Sequence, residues 1–309
     1  MSRDRLLAFA QLLRIPNVFT AFADIALGAC VGAAILPSTP IEFWAAYLVL
    51  ALASGCLYLA GMVWNDFFDL AEDKKARAFR PLPSGRVRVG TALVLGTLLF
   101  AAGIALAGAA GLVARSQWNH EPLVFALGIT AGVLIYDGGA KRTPAGPVAM
   151  AACRFLNVLF ALSLIPEAAM EIEKRVHLAA VVGVYIVGVT WFARTEEGKS
   201  NKRHLALAAS VIALSLLLAL LLRARLASGL GTFAFPYLLV AFGFLIGLPV
   251  SRAIGDPGPR HVQAAVKRCV LGLVFLDAVL ATMFVGLPGW LLLLLLPPAL
   301  WLGKWIYST

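Results

Sequence analysis

Long apolar stretches alternate with short polar segments along the whole chain. A helix that crosses a bilayer needs about 20 apolar residues. Ten stretches resemble such spans: 18–36, 43–64, 90–114, 123–136, 147–165, 178–193, 205–222, 235–250, 266–286 and 290–302. The last stretch is short and contains Pro297 and Pro298, which interrupt helices. The pattern therefore predicts an all-α, polytopic transmembrane bundle of nine or ten spans, with residues 1–309 forming one domain.

The composition agrees with this prediction. Of the 309 residues, 61% are hydrophobic and only 14% are charged, more apolar sequence than a soluble core needs. Soluble enzymes, nucleic-acid-binding proteins and secreted disulfide scaffolds are therefore disfavoured. The formal net charge of +10 would suggest nucleic acid as the partner of a soluble chain. Because these charges lie in the loops of a membrane protein, we expect membrane lipid around the chain and no nucleic-acid partner.

Basic residues collect on one side of the predicted bundle. When alternate loops are assigned to opposite faces, 21 of the 26 Lys and Arg residues fall on the face that holds the N-terminus. Loops rich in Lys and Arg stay in the cytoplasm. We therefore expect an integral, multi-pass protein of a bacterial-type cell membrane, with a cytoplasmic N-terminus and cytoplasmic motif loops.

The segment after the second span, WNDFFDLAEDKKARAFRPLPSGRVRVG, concentrates carboxylates among cations. If the second span continues as a helix, Asp66, Asp69 and Asp73 project within an arc of roughly 60°. Like charges on one helical face repel each other unless a cation lies between them. Oxygen ligands on a flexible turn suit Mg²⁺, and Asn65 adds a neutral oxygen. The segment therefore predicts a magnesium site.

Basic residues follow these acids closely. In one interpretation the segment is a solvated loop, and the acids pair with Lys74, Lys75 and Arg77. The next residues, RPLPSGR, favour another interpretation, because they form a rigid turn that carries Arg80 and Arg86. Arginine forks match the oxygens of phosphate. The simplest ligand that uses all these parts is a diphosphate at the membrane surface, with a hydrocarbon chain among the helices.

A second polar patch joins the fourth and fifth spans. The fourth span ends in YDGGAKRTPAGP, where Asp137 either has a role of its own or pairs with Lys141 or Arg142. In the fifth span, Arg154 and Asn157 share one helical face within apolar sequence. Ionisable residues at such depth are costly and usually face a polar cavity. The alternative for the arginine is a side chain that extends to the nearby interface.

A third polar patch, TWFARTEEGKSNKR, follows the sixth span and carries Glu196 and Glu197. Neighbouring residues on a helix diverge by about 100°, so at most one of the two can face a metal unless the helix has ended. The alternative is a structural pair between Arg194 and Glu197.

Two further acids, Asp24 and Asp277, lie inside predicted spans and far in sequence from the three patches. A carboxyl group within a membrane is costly unless it is paired. We expect each either to hydrogen-bond inside the bundle or to line a substrate path.

The motifs resemble those of the UbiA superfamily of intramembrane prenyltransferases. The first signature of that family, N-D-x-x-D-x-x-x-D followed by R-P-[LI]-x-S-G, is present as NDFFDLAED and RPLPSGR, after an opening LLRIPNVFTAF. The resemblance covers nearly the whole chain and implies a helical fold. The Arg and Asn pattern of the fifth span is also similar to a bacterial branch called EboC. The second family signature, a D-x-x-x-D-type run, is replaced by adjacent glutamates.

The resemblance implies an activity and a set of site residues. The activity is Mg²⁺-dependent transfer of a prenyl group from an allylic prenyl diphosphate to an aromatic or other lipophilic acceptor. The implied metal ligands are Asn65, Asp66, Asp69, Asp73, Glu196 and Glu197. The implied diphosphate ligands are Asn65, Arg80, Tyr136, Lys141, Arg142, Arg154 and Asn157. The residues with implied catalytic roles are Asp66, Asp69, Lys141 and Glu197.

A second hypothesis belongs to another functional class. The altered second signature is compatible with a non-catalytic protein that binds a lipid diphosphate, or with a metabolite transporter on the same scaffold. Ion-coupled carriers generally place carboxylates near the middle of the bilayer. Most acids of this chain lie instead at the cytoplasmic ends of the predicted spans, which favours the enzyme.

Overall fold

The computed structural model describes residues 3–113, 118–196, 198–226 and 233–307, and the regular structure within these ranges is helical. The first half contains α1 Arg3–Leu12, α2 Val18–Ile35, α3 Ile41–Phe68, α4 Leu70–Ala76, α5 Val89–Val113 and α6 Glu121–Gly138. The second half contains α7 Gly146–Leu162, α8 Ile172–Ala193, α9 Lys202–Arg225, α10 Phe235–Gly255, α11 Pro259–Val285 and α12 Leu296–Tyr307. Short 3₁₀ segments occupy Ile15–Asn17, Ala140–Arg142 and Leu287–Leu295.

The predicted number of spans is confirmed. Within the described ranges, nine helical segments are long and apolar enough to cross a membrane. The predicted stretch that is not among these nine, 147–165, corresponds to α7, which has only 17 residues. The final stretch runs as a 3₁₀ segment and then as α12, with Pro297 and Pro298 in the first turn of that helix. Proline is tolerated there because the first backbone N–H groups of a helix have no partner within it.

Helix α7 joins two apolar cores. Val158 packs into a core with residues of α8 to α11, including Leu178 and Leu276. Phe160 packs into a second core with residues of α2, α3, α5 and α6, including Leu50. Since α7 contributes to both cores, its polar residues are held between the two halves of the bundle.

Helices α2 and α7 approach each other very closely. A Cβ atom added to Gly28 would lie 2.6 Å from Cβ of Ala161, so only glycine fits at this crossing. The Tyr47 hydroxyl lies 3.1 Å from the Gly28 carbonyl oxygen and 3.0 Å from that of Ala161, and it can donate to either. Asp24 and Asn157 each lie one turn before these crossing residues. The crossing therefore brings their side chains together.

Candidate active site

The acid-rich segment lies where α3 ends. Helix α3 stops at Phe68, and α4 begins at Leu70, so the helix that sequence reasoning extended through the whole segment is interrupted at Asp69. The interruption leaves Asp66 and Asp73 on a common side. Arg80 Nη1 lies 2.7 Å from Oδ2 of Asp73 and 3.8 Å from Oδ1 of Asp66. Both acids are buried, since only 2% of Asp66 and 1% of Asp73 is exposed.

Arg14 adds a contact that sequence reasoning missed. Its Nη2 atom donates to Oδ1 of Asp66 at 2.8 Å and to Oδ1 of Asn65 at 3.3 Å. The residue adopts a left-handed backbone conformation with φ of 47°, between α1 and the following 3₁₀ turn. Non-glycine residues rarely take this conformation, and the strain is often found at functional sites. The opening LLRIPN contains this arginine, but only the tertiary structure brings it to the acids.

Asp69 takes part in a second set of ion pairs. Lys141 Nζ lies 2.7 Å from Oδ1 of Asp69 and 3.3 Å from Oδ1 of Asp137. Arg142 Nη2 also contacts Asp69 Oδ1, at 3.2 Å. Asn65 Nδ2 donates to Asp137 Oδ1 at 2.6 Å, which links this set to the first. Of the two alternatives for Asp137, the pair with Lys141 is therefore present.

These polar residues form one connected group, which we call the mouth cluster. Arg77 belongs to it because its Nη1 atom lies 3.4 Å from Oδ1 of Asp73. Five cations lie within 3.4 Å of four carboxylates. Several cations in one place suit a polyanionic ligand. The mouth cluster consists of Arg14, Asn65, Asp66, Asp69, Asp73, Arg77, Arg80, Asp137, Lys141 and Arg142.

The proline-containing turn aims only one of its two arginines at the acids. The Ser84 hydroxyl donates to the Arg80 carbonyl oxygen at 2.7 Å, and Gly85 has a positive φ of 74° that closes the turn. Arg86 points elsewhere, because it donates to the Phe79 carbonyl oxygen at 2.7 Å and to Oε1 of Gln11 at 2.9 Å. The expectation that both guanidinium groups lie behind the carboxylates is therefore wrong for Arg86.

The donor set of the mouth cluster fits Mg²⁺ held together with a phosphate ligand. Its ligating atoms are carboxylate and amide oxygens, which this ion prefers. Within the described ranges, no three acidic, histidine or cysteine side chains converge to hold a metal ion by themselves. The carboxylates of the mouth cluster form ion pairs with Arg and Lys side chains instead. This agrees with the usual coordination of Mg²⁺ by one or two carboxylates, with substrate phosphates and waters completing its shell.

The third patch is only partly described. Glu196 is half-buried, and its backbone carbonyl accepts a hydrogen bond from Nε2 of Gln263 at 3.2 Å. Burial raises the pKa of the Glu196 carboxyl group, while the positive charge of Arg77 lowers it in part. This charge interaction links the third patch to the mouth cluster. Glu197, predicted as a metal ligand and catalytic residue, lies outside the described residues. Arg194 donates to the carbonyl oxygens of Thr143 at 3.0 Å and Pro144 at 3.4 Å.

A largely apolar cavity of about 240 Å³ extends from the mouth cluster into the bundle. We call it the chamber. Asn65, Tyr136 and Asp137 line it at the mouth cluster. Arg154 and Asn157 also line it. Its apolar wall includes Leu57, Met62, Ile129, Val133, Met150, Ile186, Val189 and Leu273.

Arg154 and Asn157 form a separate polar group deeper in the chamber wall. Oδ2 of Asp24 accepts hydrogen bonds from Nη1 of Arg154 at 3.0 Å and from Nδ2 of Asn157 at 2.7 Å. Arg154 Nη2 also donates to the Thr20 hydroxyl, and the guanidinium carbon lies 5.6 Å from the centre of the Tyr58 ring. The arginine is therefore held inside the bundle, and the alternative in which it extends to the interface is wrong.

Among the described residues, neither of these two side chains is hydrogen-bonded to the mouth cluster, although sequence reasoning grouped them with the diphosphate ligands. Asn157 Oδ1 instead accepts a hydrogen bond from the Ser54 hydroxyl at 2.7 Å. Asp277 of α11 lies beside Asp24. We call Asp24, Arg154, Asn157 and Asp277 the deep cluster. The chamber thus has charged or polar groups at two levels, separated by apolar wall.

Comparison with known proteins identifies the scaffold. The model of the UbiA prenyltransferase family matches residues 25–255. A digeranylgeranylglyceryl phosphate synthase of Saccharolobus solfataricus is 35% identical over 136 residues, which cover 44% of each chain. The synthase of Methanosarcina mazei is 28% identical over 197 residues, covering 54% of this chain and 64% of its own. The chain thus spans about half the length of these curated relatives.

Solved structures show the same fold. A structure described as that of digeranylgeranylglyceryl phosphate synthase in membranes matches with a TM-score of 0.65 and 17% identity, over 91% of this chain and 99% of that one. A UbiA homologue of Archaeoglobus fulgidus, solved with DMAPP and Mg²⁺, matches with a TM-score of 0.61 and 16% identity, over 88% of this chain and 98% of that one.

The family match covers well over half of the 309 residues and includes the acid-rich segment and the deep cluster residues Arg154 and Asn157. Together with the apolar helices, it makes the chain an integral, multi-pass membrane protein. The resemblance seen in the motifs is confirmed: the chain belongs to the UbiA prenyltransferase family.

Proposed function

We propose that the protein transfers a prenyl group from an allylic prenyl diphosphate to a lipophilic acceptor inside the membrane, with Mg²⁺ as cofactor. One observation carries this proposal: a cluster of five cations and four carboxylates opens directly into a largely apolar chamber. A prenyl diphosphate has the complementary form, since it joins a charged head to a hydrocarbon tail. Membership of the family and the named ligands of the A. fulgidus homologue support the same ligand class.

The basic residues of the mouth cluster would bind the diphosphate by exchanging partners. Arg14, Arg80, Lys141 and Arg142 each donate to a carboxylate. Guanidinium groups pair equally well with phosphate oxygens. Binding of the diphosphate would therefore transfer these cations from carboxylates to the ligand. The acids would then be free to act as oxygen ligands.

The carboxylates released in this way would hold Mg²⁺. Asp66 and Asp69 are the main candidates, because each pairs with cations that could bind the diphosphate instead. Asn65 and Asp73 lie next to them. Bound Mg²⁺ supplies positive charge that stabilises the leaving diphosphate. Glu196 would add a further contact from the third patch, since its charge already interacts with Arg77.

The reaction breaks the bond between the allylic carbon and the diphosphate oxygen, and the acceptor forms a new bond to that carbon while it loses a proton. Positive charge develops on the allylic carbon as the diphosphate leaves. Cations of the mouth cluster stabilise the leaving group. Tyr58 and Tyr136 line the chamber, and their rings would stabilise the positive carbon. The apolar wall excludes water, which would otherwise capture the same carbon.

The names of the relatives bear on the acceptor. Digeranylgeranylglyceryl phosphate synthases are named for a lipid product that contains a glyceryl phosphate. This supports an acceptor that is itself lipophilic, of aromatic or other type.

We place the mouth cluster at the cytoplasmic face of a bacterial-type cell membrane, because the loops on that face contain most of the basic residues. We further propose that residues 1–309 act as one domain, since α7 packs into both cores.

The experiment that tests this function is release of diphosphate by the purified protein in lipid nanodiscs. A panel of allylic prenyl diphosphates is combined with Mg²⁺ and mixed lipophilic acceptors. Asp69→Ala removes an acid bonded to Lys141 and Arg142. Glu72→Ala is the matched control, because that side chain is 68% exposed and its carboxylate lies 3.9 Å from Arg142. We expect release by the wild type and the control, and loss of release in Asp69→Ala.

Other results of this experiment distinguish the alternative. Mg²⁺-dependent binding of a donor without release in any acceptor mixture would indicate a lipid-diphosphate binder or a transporter on the same scaffold. Equal release by Asp69→Ala and Glu72→Ala would contradict the assignment of the mouth cluster as the reaction site.

A further inference from the structure

Two carboxyl groups meet deep inside the bundle. Asp24 on α2 and Asp277 on α11 are both 0% exposed, although they lie in membrane-spanning helices. Their side chains lie within hydrogen-bonding reach of each other. Oδ2 of Asp24 accepts from Arg154 and Asn157, as described above. Among the described residues, no N–H or O–H group reaches Oδ1 of Asp24 or either oxygen of Asp277.

This arrangement is unstable if both acids are ionised. Two carboxylates in contact would carry two negative charges beside the single positive charge of Arg154, although both acids are fully buried. A buried acceptor that lacks a donor also loses the free energy of its hydrogen bond to water. One added proton removes both problems. It neutralises the excess charge, and it supplies the hydrogen bond that the facing carboxyl oxygens lack.

The proton belongs on Asp277. Asp24 already accepts hydrogen bonds from a guanidinium and an amide, which favour its ionised form. Asp277 has no such donors in the described chain. Among the described residues, the phenol of Tyr185 on α8 also lies near Asp277, and that of Tyr58 on α3 lies near Arg154. The Tyr185 hydroxyl donates to the Cys269 carbonyl oxygen at 2.8 Å, so it also keeps its proton.

We infer that Asp277 is a neutral carboxylic acid that donates its proton to Asp24, and that this bond fixes Asp24 as the positioning residue for Arg154 and Asn157 in the chamber wall. The resulting group is electrically neutral, with one carboxylate, one guanidinium and one protonated acid. Arg154 is thereby held in one place in the chamber while every charge around it is balanced. Its effect on catalysis rests on the function proposed above, whereas the protonation of Asp277 does not.

Infrared spectroscopy of the protein in nanodiscs tests the protonation directly. A protonated carboxylic acid has a C=O stretching band separate from the bands of carboxylates and amides. We expect this band in the wild type at neutral pH and its absence from Asp277→Asn. Ser215→Ala is the control, since it also removes a buried polar group, but one on α9 away from the chamber. The band should persist in this control. Identical spectra for wild type and Asp277→Asn in this region would overturn the inference.

Turnover tests the positioning role. Asp277→Leu cannot donate to Asp24, and we expect kcat/KM for prenyl transfer to fall by about tenfold, the effect of losing one buried hydrogen-bond partner. Asp277→Asn keeps a donor of the same shape and should recover most of that loss. Equal losses in the two variants would contradict positioning through this bond. If the wild type transfers no prenyl group, the proposed function fails, but the infrared experiment still decides the protonation of Asp277.

Discussion

The mouth cluster and the deep cluster both pair aspartate with arginine, yet they are built in opposite ways. In the mouth cluster each of several acids contacts two cations, and the cations are partly exposed: 53% of the Arg142 side chain and 28% of the Arg14 side chain. In the deep cluster a single guanidinium forms an ion pair only with Asp24, Asp277 has no cation bonded to it among the described residues, and both acids are fully buried. The cations of the mouth cluster can exchange one partner for another. The single cation of the deep cluster has, in the described chain, no second carboxylate bonded to it that could replace Asp24.

The difference follows from access to water. A partly exposed cation that leaves a carboxylate can be solvated or can bind a ligand, so the cost of separating the pair is modest. A buried charge that loses its partner has no replacement, and the cost is several times larger. The comparison indicates that the mouth cluster binds and releases ligands, while the deep cluster shapes the chamber.

The largest effect is expected from removing an acid of the mouth cluster. Asp66→Ala and Asp69→Ala should each lower the rate of transfer by about 100-fold or more, because electrostatic stabilisation of the leaving group is lost. Both variants should also lose Mg²⁺-dependent binding of a prenyl diphosphate while remaining folded in detergent. Equilibrium binding with a labelled donor, with and without Mg²⁺, measures this. Affinity unchanged in both variants would remove these acids from the metal site.

A stability measurement separates the two clusters. Asp24→Leu leaves the buried charge of Arg154 uncompensated and should lower the free energy of unfolding by about 3 kcal/mol. Asp66→Leu should cost less, because its partners Arg14 and Arg80 are part-exposed and each has contacts elsewhere. Denaturant unfolding of the two variants in detergent compares them. A larger loss in Asp66→Leu would reverse the proposed division between the clusters.

A smaller effect is expected at Arg14. Arg14→Ala removes donors to Asp66 and Asn65, and we expect the KM for the prenyl diphosphate to rise by about tenfold. Arg88 is exposed and lies on the same predicted membrane face, so Arg88→Ala serves as the control for a lost positive charge. Steady-state kinetics with both variants measures the difference. Equal KM values for Arg14→Ala and Arg88→Ala would show that Arg14 acts only as general surface charge.

Asp24, Asp277 and Arg14 also show what the sequence can and cannot reveal. The acid-rich segment and the apolar stretches are local patterns, so both could be recognised before the fold was known. The partners of Asp24 could not, because Arg154 and Asn157 are more than 100 residues away and meet it only through the α2–α7 crossing. The expected position of Arg86 behind the carboxylates is wrong for a related reason, because its side chain is directed by a hydrogen bond to Gln11 of α1.

The smallest effect concerns Glu196 and depends on pH. Since burial raises the pKa of this carboxyl group, the folded protein holds the proton more tightly than the unfolded chain does. Ionisation therefore lowers stability as pH rises through the folded pKa, and it has no effect below the ordinary value of about 4.3. Glu196→Gln should match wild-type thermal stability in acid and slightly exceed it at neutral pH without Mg²⁺. A variant that is less stable at neutral pH would contradict this sign.

The most direct test of prenyl transfer at the mouth cluster is incorporation of a radiolabelled prenyl group into an organic-extractable product, measured with wild type, Asp69→Ala and Glu72→Ala in nanodiscs. We expect product that requires Mg²⁺, disappears with a chelator, and forms with wild type and Glu72→Ala but not with Asp69→Ala. Product formed equally by Asp69→Ala, or formed in the absence of divalent cations, would contradict transfer at the mouth cluster.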